Sequence, residues 1–559
     1  MTTQKTISAV ETVFAYHDRT KHDFHRSARS PGYLDWANQP NPFRRYANAP
    51  AFLLPLSDRD LTPPYESLYG HETACQPLNI ESLSLFLENA LGISASKSYQ
   101  GAGWKLRCNP SSGNLHPTEG YVIVPPLEDL SEDPGVYHYA PNEHTLEQRC
   151  VFPRETWPAL MDGLPEGTFL AALTSIQWRE AWKYGERAYR YCNHDTGHAL
   201  AAYAYSAAAL GWTCLLLDEL GDEAVGAILG VDRAGDYVSN EPEYPELVVA
   251  VLPGRSAPHV PTSLPSSGIE GVAQGTWRGT ANRLSPDHVE WEIIDHVTEA
   301  CIKPATSAQS IAVASHGSIE HEYGHDCSAS AREIIQQRRS AVAMDGVTSI
   351  SRQSFFTMLE RTLPAAGRFP WDTCRWPASI HLGLFVHRVD DFPPGLYFLL
   401  RDLTAQPRLQ EAMNDNFAWK RADGCADELP LFELARGDYR GTATQLSCGQ
   451  EIAGDGAFSL AMIADFEGAI ARHGAWYYPR LFWEAGRVGQ VLYLEAEAAG
   501  VRSTGIGCYF DDPVHDLFGL TGRAFQSLYH FTVGGAVDDA RLTSEPPYTP
   551  ERRAVSGWV

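Results

Sequence analysis

Asp195-Thr-Gly-His198 and Glu484-Ala-Gly-Arg487 read as one motif written twice. Laid over each other without a gap, they bring Gly197 onto Gly486, Gly211 onto Gly500, Asp222 onto Asp511, Val225 onto Val514 and Gly230 onto Gly519. A spacing held over that length marks an internal repeat. Between the first of these points, Ala199 to Leu217 carries no formal charge and is long enough to raise the question of a membrane span. Its many alanines, Tyr203, Tyr205, Ser206 and the Gly211-Trp212 break indicate instead a buried helix leading into a strand.

Outward from this anchor the repeat continues more faintly. Leu115-His116 falls on Ile380-His381, each leading into a strand, Gly120 to Val124 and Leu384 to His387. Gly135-Val-Tyr-His-Tyr139 is similar to Gly395-Leu-Tyr-Phe-Leu399, and Arg19-Thr20 falls on Arg339-Ser340. Each half reads as two helices, a strand, a hairpin-like pair, another strand, a long buried helix and final strands. That is an α+β pattern with a mostly antiparallel sheet flanked by helices. Pro253 to Pro286 is rich in Pro, Ser, Gly and Thr and reads as a linker. The expected division is residues 1–252, a linker over 253–286, and 287–559. Two fused halves imply an intrachain pseudo-dimer with a pseudo-twofold axis.

The 559 residues exceed one ordinary core, and 44% hydrophobic with 11% aromatic residues describes a globular chain. A formal net charge of −25 excludes general nucleic-acid or anionic-membrane binding, which needs a positive field. A phosphate ligand would have to sit on a local group of arginines or backbone N–H groups. The 11 cysteines are scattered with no C-x-x-C pair, and the start of the chain has no secretory pattern, so reduced thiols in the cytoplasm are expected.

Arg107-Cys-Asn-Pro-Ser-Ser-Gly-Asn-Leu-His-Pro117 is the other informative stretch. Small residues let a flat ligand approach the backbone, and the hydroxyls and carboxamide suit its polar edge. Pro, Ser, Gly and Asn are also ordinary turn formers, so a simple turn before the strand stands as the alternative. His321-Glu-Tyr-Gly-His325 matches H-E-x-x-H, but its polar, glycine-containing flanks do not suit a zinc-peptidase helix, and no metal is expected.

Taken together the motifs resemble the FMN-dependent nitroreductase-like superfamily, as a tandem fusion. The first half resembles its SagB-type dehydrogenase branch, which includes azoline oxidases. The residues that carry this are Tyr16-His17 with Thr20-Lys-His22, Leu34-Asp-Trp36, Pro110-Ser-Ser-Gly-Asn114, Trp182-Lys-Tyr184 with Arg187-Ala-Tyr-Arg-Tyr191, and Gly197-His198; the second half has Gln337-Arg-Arg-Ser340. The resemblance implies flavin sites built jointly by two subunits, or here by two halves.

On that pattern one composite site keeps every part. The second half would give Arg338, Arg339, Ser340 and the Thr504-Gly505-Ile506-Gly507 turn. The first half would give Arg107, Pro110, Ser111, Ser112 and Asn114, with Lys183 and Tyr184 doing proton work. The other site is degraded: Asp18 stands for the first arginine, Cys214-Leu-Leu-Leu217 for the glycine turn, Arg375-Trp-Pro-Ala-Ser379 for the loop, and Arg472-His473 for Lys183-Tyr184. One FMN per chain is expected. The implied activities are SagB-type dehydrogenation of a peptide azoline or similar small substrate, NAD(P)H-dependent nitro or quinone reduction, or a non-catalytic flavin-binding partner of a modifying complex.

Overall fold

The computed structural model describes residues 8–57, 60–70, 73–254, 260–307, 323–365 and 367–548. The first half comprises α1 (Ala9–Arg19), α2 (Ile80–Leu91), β1 (Ile93–Tyr99), β2 (Ala102–Arg107), β3 (Thr118–Val124), β4 (Gly135–Ala140), β5 (Thr145–Val151), β6 (Phe169–Ser175), α3 (Gln177–Tyr184), α4 (Ala188–Ala209), β7 (Trp212–Leu216), α5 (Asp222–Leu229) and β8 (Tyr244–Pro253). After it come α6 (Glu292–Ala300), α7 (Ala331–Gln337), α8 (Arg352–Arg361), β9 (Ile380–Val386), β10 (Gly395–Leu399), β11 (Leu431–Arg436), β12 (Phe458–Asp465), α9 (Phe466–His473), α10 (Tyr478–Ala498), β13 (Arg502–Ile506), α11 (Asp511–Phe518), β14 (Phe525–Gly534) and β15 (Thr543–Glu545).

The two large sheets have the same strand order, β5-β4-β3-β6-β8-β7 and β11-β10-β9-β12-β14-β13, with every pair antiparallel. Central strands such as β3 and β9 are buried along their whole length, so Tyr121 to Val124 and Leu382 to Val386 show no apolar–polar alternation. The inner face of each sheet packs on its long helix, Leu173 and Val122 with Leu200 and Tyr203, Leu382 and Met462 with Leu481 and Val488. Capping boxes at Asn79–Ser82 and Ser330–Glu333 start α2 and α7. The segment after β8 folds back on the first half: Thr276 and Trp277 pair with Val151 and Cys150 at the sheet edge, and Val272 enters the core.

The long helices α4 and α10 cross at the centre of the molecule, and their closest approach is at Gly197 and Gly486. A Cβ on Gly197 would overlap the Trp483 backbone, and one on Gly486 would overlap the His194 carbonyl. These residues are one repeat apart, so the crossing marks the pseudo-twofold axis. Tyr189 and Tyr478, also one repeat apart, stack across it with centroids 6.4 Å apart and planes at 6°.

The hydrogen bonds correct two of the sequence alignments. Thr118 lies opposite Ser175, and Ile380 lies opposite Ala464, which is one repeat on from Ser175. Thr118 therefore corresponds to Ile380, and the pairing of Leu115-His116 with Ile380-His381 is three residues out. Nor does Arg19-Thr20 correspond to Arg339-Ser340. Past α1, His22 donates its N–H to Asp511 Oδ2 (2.8 Å) and accepts from Asp511 N (2.9 Å). Past α6, Lys303 makes the same pair with Asp222 at 2.8 and 2.9 Å. The counterpart of α1 is thus α6, and the two pack on each other. The segment before Arg338 has a different counterpart: Ser330 bridges Pro64, with Tyr65 N donating to Ala329 O and Ala331 N to Pro63 O at 2.9 Å each.

Adding a methyl group at the crossing should force the helices apart. Gly197→Ala is expected to lower unfolding free energy in urea by about 1–3 kcal/mol. Gly441→Ala, where a Cβ meets open space, should be neutral or mildly stabilising. Equal effects at both positions would contradict the packing argument.

Candidate active site

A cleft of about 960 Å³ opens between the halves. Arg107, Pro110, Ser111, Ser112, Asn114 and Tyr184 of the first half line it, facing Arg338, Arg339, Ser340 and Thr504 to Gly507 of the second. Lys183 stands behind the loop: a Cβ on Gly113 would lie 2.9 Å from its Nζ and 2.6 Å from the Tyr184 hydroxyl. The structure thus brings together residues from four separated stretches of sequence.

Placement differs from expectation in detail. The Arg107 guanidinium points away into the first half, donating to Thr118 O (3.0 Å) and Pro42 O (2.9 Å). Its carbonyl serves the site by accepting from Arg338 Nη2 at 3.0 Å. Asn114 has φ of +60°, and its carboxamide is spent on the loop itself, Nδ2 to Lys105 O at 3.0 Å and Oδ1 to His116 Nε2 at 2.9 Å. The segment Arg179 to Arg190, although rich in charged residues, is mostly buried. Arg187 and Arg190 both bind Asp511, and Arg179 binds Glu119.

One end of the cleft is cationic. Arg338 is buried, with Nε donating to Cys108 O at 3.0 Å and the ring of Tyr493 5.0 Å away. Its Nη1 has no partner. Arg339 donates to Ser94 Oγ and O at 3.1 Å each, and burial followed by the charge of Arg338 pushes it down to about 10. Among the described residues neither guanidinium has a carboxylate at ion-pair distance, although Lys97 and Arg502 also face this end. Glu497, which accepts from Arg339 N at 3.0 Å and pairs with Arg502, is the carboxylate whose charge acts on both, and a buried cation with a half-buried one beside it is costly unless an anion completes the site. The Tyr493 hydroxyl ties the end together, 2.9 Å from Ser340 Oγ and accepting from Gly505 N at 2.9 Å. Gly505 is required where it stands, because a Cβ there would run into the Tyr529 hydroxyl. The buried Ser503 Oγ has no partner.

The other end holds protons. Asp195 on α4 accepts from Ser112 N (3.1 Å) and Ser112 Oγ (3.2 Å), and burial pushes its carboxyl up to about 7. Glu180, one turn before Lys183 and Tyr184 on α3, is fully buried with both oxygens unpartnered. Burial first, then the charge of Asp195, raises it well above the carboxylate range. Burial likewise keeps Tyr184 protonated. His198 is pushed down to about 3 by burial and then Arg338, so its ring is neutral, 3.1 Å from the Tyr529 hydroxyl. Sequence reasoning missed Asp195, Glu180, His198, Tyr493 and Tyr529. Asp195 and His198 lay within the repeat motif, and that was the available signal.

The symmetry-related position is filled. One repeat on, Gly505 becomes Leu216, Gly507 becomes Asp218 and Tyr191 becomes Arg480; in the corrected register Asn114 becomes Trp376. Trp376 is buried in one cluster with Cys214, Leu216 and Trp483. The Arg480 guanidinium lies 4.7 Å from the Trp376 ring and 4.8 Å from Trp476, and it pairs with Asp218. Asp18 and Arg19 are not part of that position, since they pair with Arg523 and Glu186. Of the H-E-x-x-H stretch, His321 and Glu322 lie outside the described residues. His325 Nε2 is 2.9 Å from Glu495 Oε2 in a buried network, and the described residues contain no group of three or more metal-ligating side chains.

No protein-family model matches the chain. A Methanocaldococcus jannaschii protein provisionally described as a nitroreductase is 26% identical over 186 residues, 32% of this chain and 83% of that one. A crystal structure from Anabaena variabilis, provisionally described in the same way, superposes with a TM-score of 0.67 at 22% identity, covering 94% of this chain and 99% of that chain. The architecture is the nitroreductase-like fold, present here as two α+β domains in one chain.

The raised carboxyl of Asp195 makes stability depend on pH. The folded state keeps this proton to about 7, whereas the unfolded chain releases it near 3.8, so its contribution falls as pH rises between those values. Asp195→Asn should therefore gain stability relative to wild type between pH 5 and pH 8, read as urea midpoints. An unchanged difference at the two pH values would place Asp195 in an ordinary solvated state.

Proposed function

We propose that the chain is an FMN-dependent oxidoreductase with one complete flavin site between its halves, acting as a SagB-type dehydrogenase on a peptide azoline or similar small substrate. The observation that carries this reading is the pair of guanidiniums, buried Arg338 and half-buried Arg339, which line one end of a cleft large enough for a cofactor and a substrate and have no carboxylate at ion-pair distance among the described residues. The residues fit the group. Arg338, Arg339 and Ser340, which line that end of the cleft, are suitable donors for a phosphate and its attached chain. Gly505 and Gly507 leave the backbone open for a planar ring, and the Ser111-Ser112 loop closes the opposite wall. When bound, FMN supplies hydride and electron transfer.

The chain's own groups would manage the substrate's protons. Lys183 Nζ, beside Gly113 of the loop, would act as the base, and the Tyr184 hydroxyl as a neutral donor. Asp195, which accepts two hydrogen bonds from Ser112 and whose carboxyl burial pushes up to about 7, lines the cleft with Tyr184. Glu180, held protonated behind them, keeps a second negative charge out of the site. The volume of the cleft also suits a second reading, an NAD(P)H-dependent nitro or quinone reductase, in which the nicotinamide enters where the substrate would. Bleaching of the flavin band by NADH or NADPH, without a dehydrogenation substrate, would favour that reading. A yellow protein that nothing reduces would favour a binding partner without catalysis.

Each arginine should contribute a charge-assisted interaction of about 1.5–3 kcal/mol to phosphate binding. Arg338→Met and Arg339→Met are thus each expected to weaken FMN binding roughly ten- to hundredfold, measured by fluorescence quenching. Lys183→Ala should bind FMN as wild type does but lose about 100-fold or more in kcat. Unchanged FMN affinity in both arginine variants, or normal turnover by Lys183→Ala, would contradict the assignment.

A further inference from the structure

Cys508 follows Gly507 directly and lines the same cleft. Its Sγ shares a hydrogen bond with Cys448 Sγ at 2.8 Å, although the two residues lie 60 apart in sequence. Six of the 11 cysteines are buried, whereas Cys508 is exposed and Cys448 is partly exposed, so small molecules can reach this pair. The surrounding backbone is already joined. Gln450 Nε2 donates to Cys508 O (2.9 Å) and to Ser447 O (2.8 Å), and Phe510 N donates to Leu446 O (2.8 Å). The two segments are therefore held together by contacts that do not involve sulfur. Cys448 also has φ of +55°, a left-handed conformation that is unfavourable for a residue with a side chain. The turn holds its thiol toward Cys508 despite that cost.

We propose that Cys448 and Cys508 form a dithiol–disulfide couple that exchanges with small disulfides and thiols at the edge of the cleft. Cys508 is the attacking sulfur. It is the exposed member of the pair and the one that lines the cleft; the shared hydrogen bond and the charge of Arg187 favour its thiolate, while that bond and then burial hold the Cys448 thiol up. Arg187 is fixed nearby, with Nη2 donating to Gly507 O at 3.2 Å. The Cys508 thiolate attacks one sulfur of a small disulfide; that S–S bond breaks, and the first thiolate leaves and takes up a proton. The resulting mixed disulfide is then attacked by Cys448, which gives up its proton, forms the Cys448–Cys508 bond and expels the second thiolate. In sum, two protein thiols are oxidised and one small disulfide is reduced to two thiols; a small dithiol reverses the exchange. The proposal is independent of the flavin reading, because both half-reactions occur on sulfur.

The full chain is to be treated with glutathione disulfide at pH 7.5, alkylated with iodoacetamide and mapped by mass spectrometry, with dithiothreitol reversal as the return arm. Wild type should lose two alkylatable thiols and yield a cross-linked peptide pair containing Cys448 and Cys508, restored by dithiothreitol. Cys448→Ser should instead accumulate a glutathione adduct on Cys508, and Cys508→Ser should give neither product at these sites. Retention of both free thiols in wild type, or an adduct on the exposed Cys75 with Cys508 untouched, would overturn the proposal. The wild-type map is decisive even where a variant fails to fold.

Discussion

Everything in this molecule is arranged around the contact of Gly197 with Gly486. Two helices can approach this closely only where neither carries a side chain, and here the glycines are equivalent positions of a repeated unit. That one contact puts α4 and α10 on opposite sides of a pseudo-twofold axis. The sheets, packed on these helices, then take their places without further instruction. Elements near the axis are shared between halves: α1 packs on α6, and Tyr65 and Tyr69 of the first half donate to Glu495 of the second at 2.6 and 2.7 Å. The fused chain thus buries its internal interface as a domain buries its core.

A symmetric frame provides two equivalent positions for a cleft, and this chain uses them differently. In one, glycines, serines and a left-handed asparagine keep space open beside unpaired arginines. In the other, Leu216, Trp376 and Trp483 close the space, and Arg480 is neutralised by Asp218 between tryptophan rings. The filled side is satisfied on its own. The open side keeps Arg338 and Arg339 without a carboxylate at ion-pair distance among the described residues at one end, and the raised carboxyl of Asp195 at the other.

How much of this the sequence showed depended on which residues the geometry constrains. The long-helix repeat was legible because Gly197, Gly486, Gly211, Gly500, Gly230 and Gly519 each answer a steric demand, close approach or positive φ. The loop register slipped by three because Ser111 to Pro117 and Thr373 to Ser379 have little in common; only the strand hydrogen bonds align them. The equivalence of α1 and α6 was invisible because it lies in backbone bonds to Asp511 and Asp222, not in side chains. Most of the residues that line the cleft from both halves could be named from motifs in order. The titration of Asp195 and Glu180 could not, since it arises from burial that only the assembled chain creates.

The central claim is that the two halves together make one flavin site and not two. It is tested most directly by titrating FMN into the purified full-length chain and measuring bound flavin per chain at saturation. The account predicts a ratio of one. A ratio of two, with both flavins reducible, would contradict it.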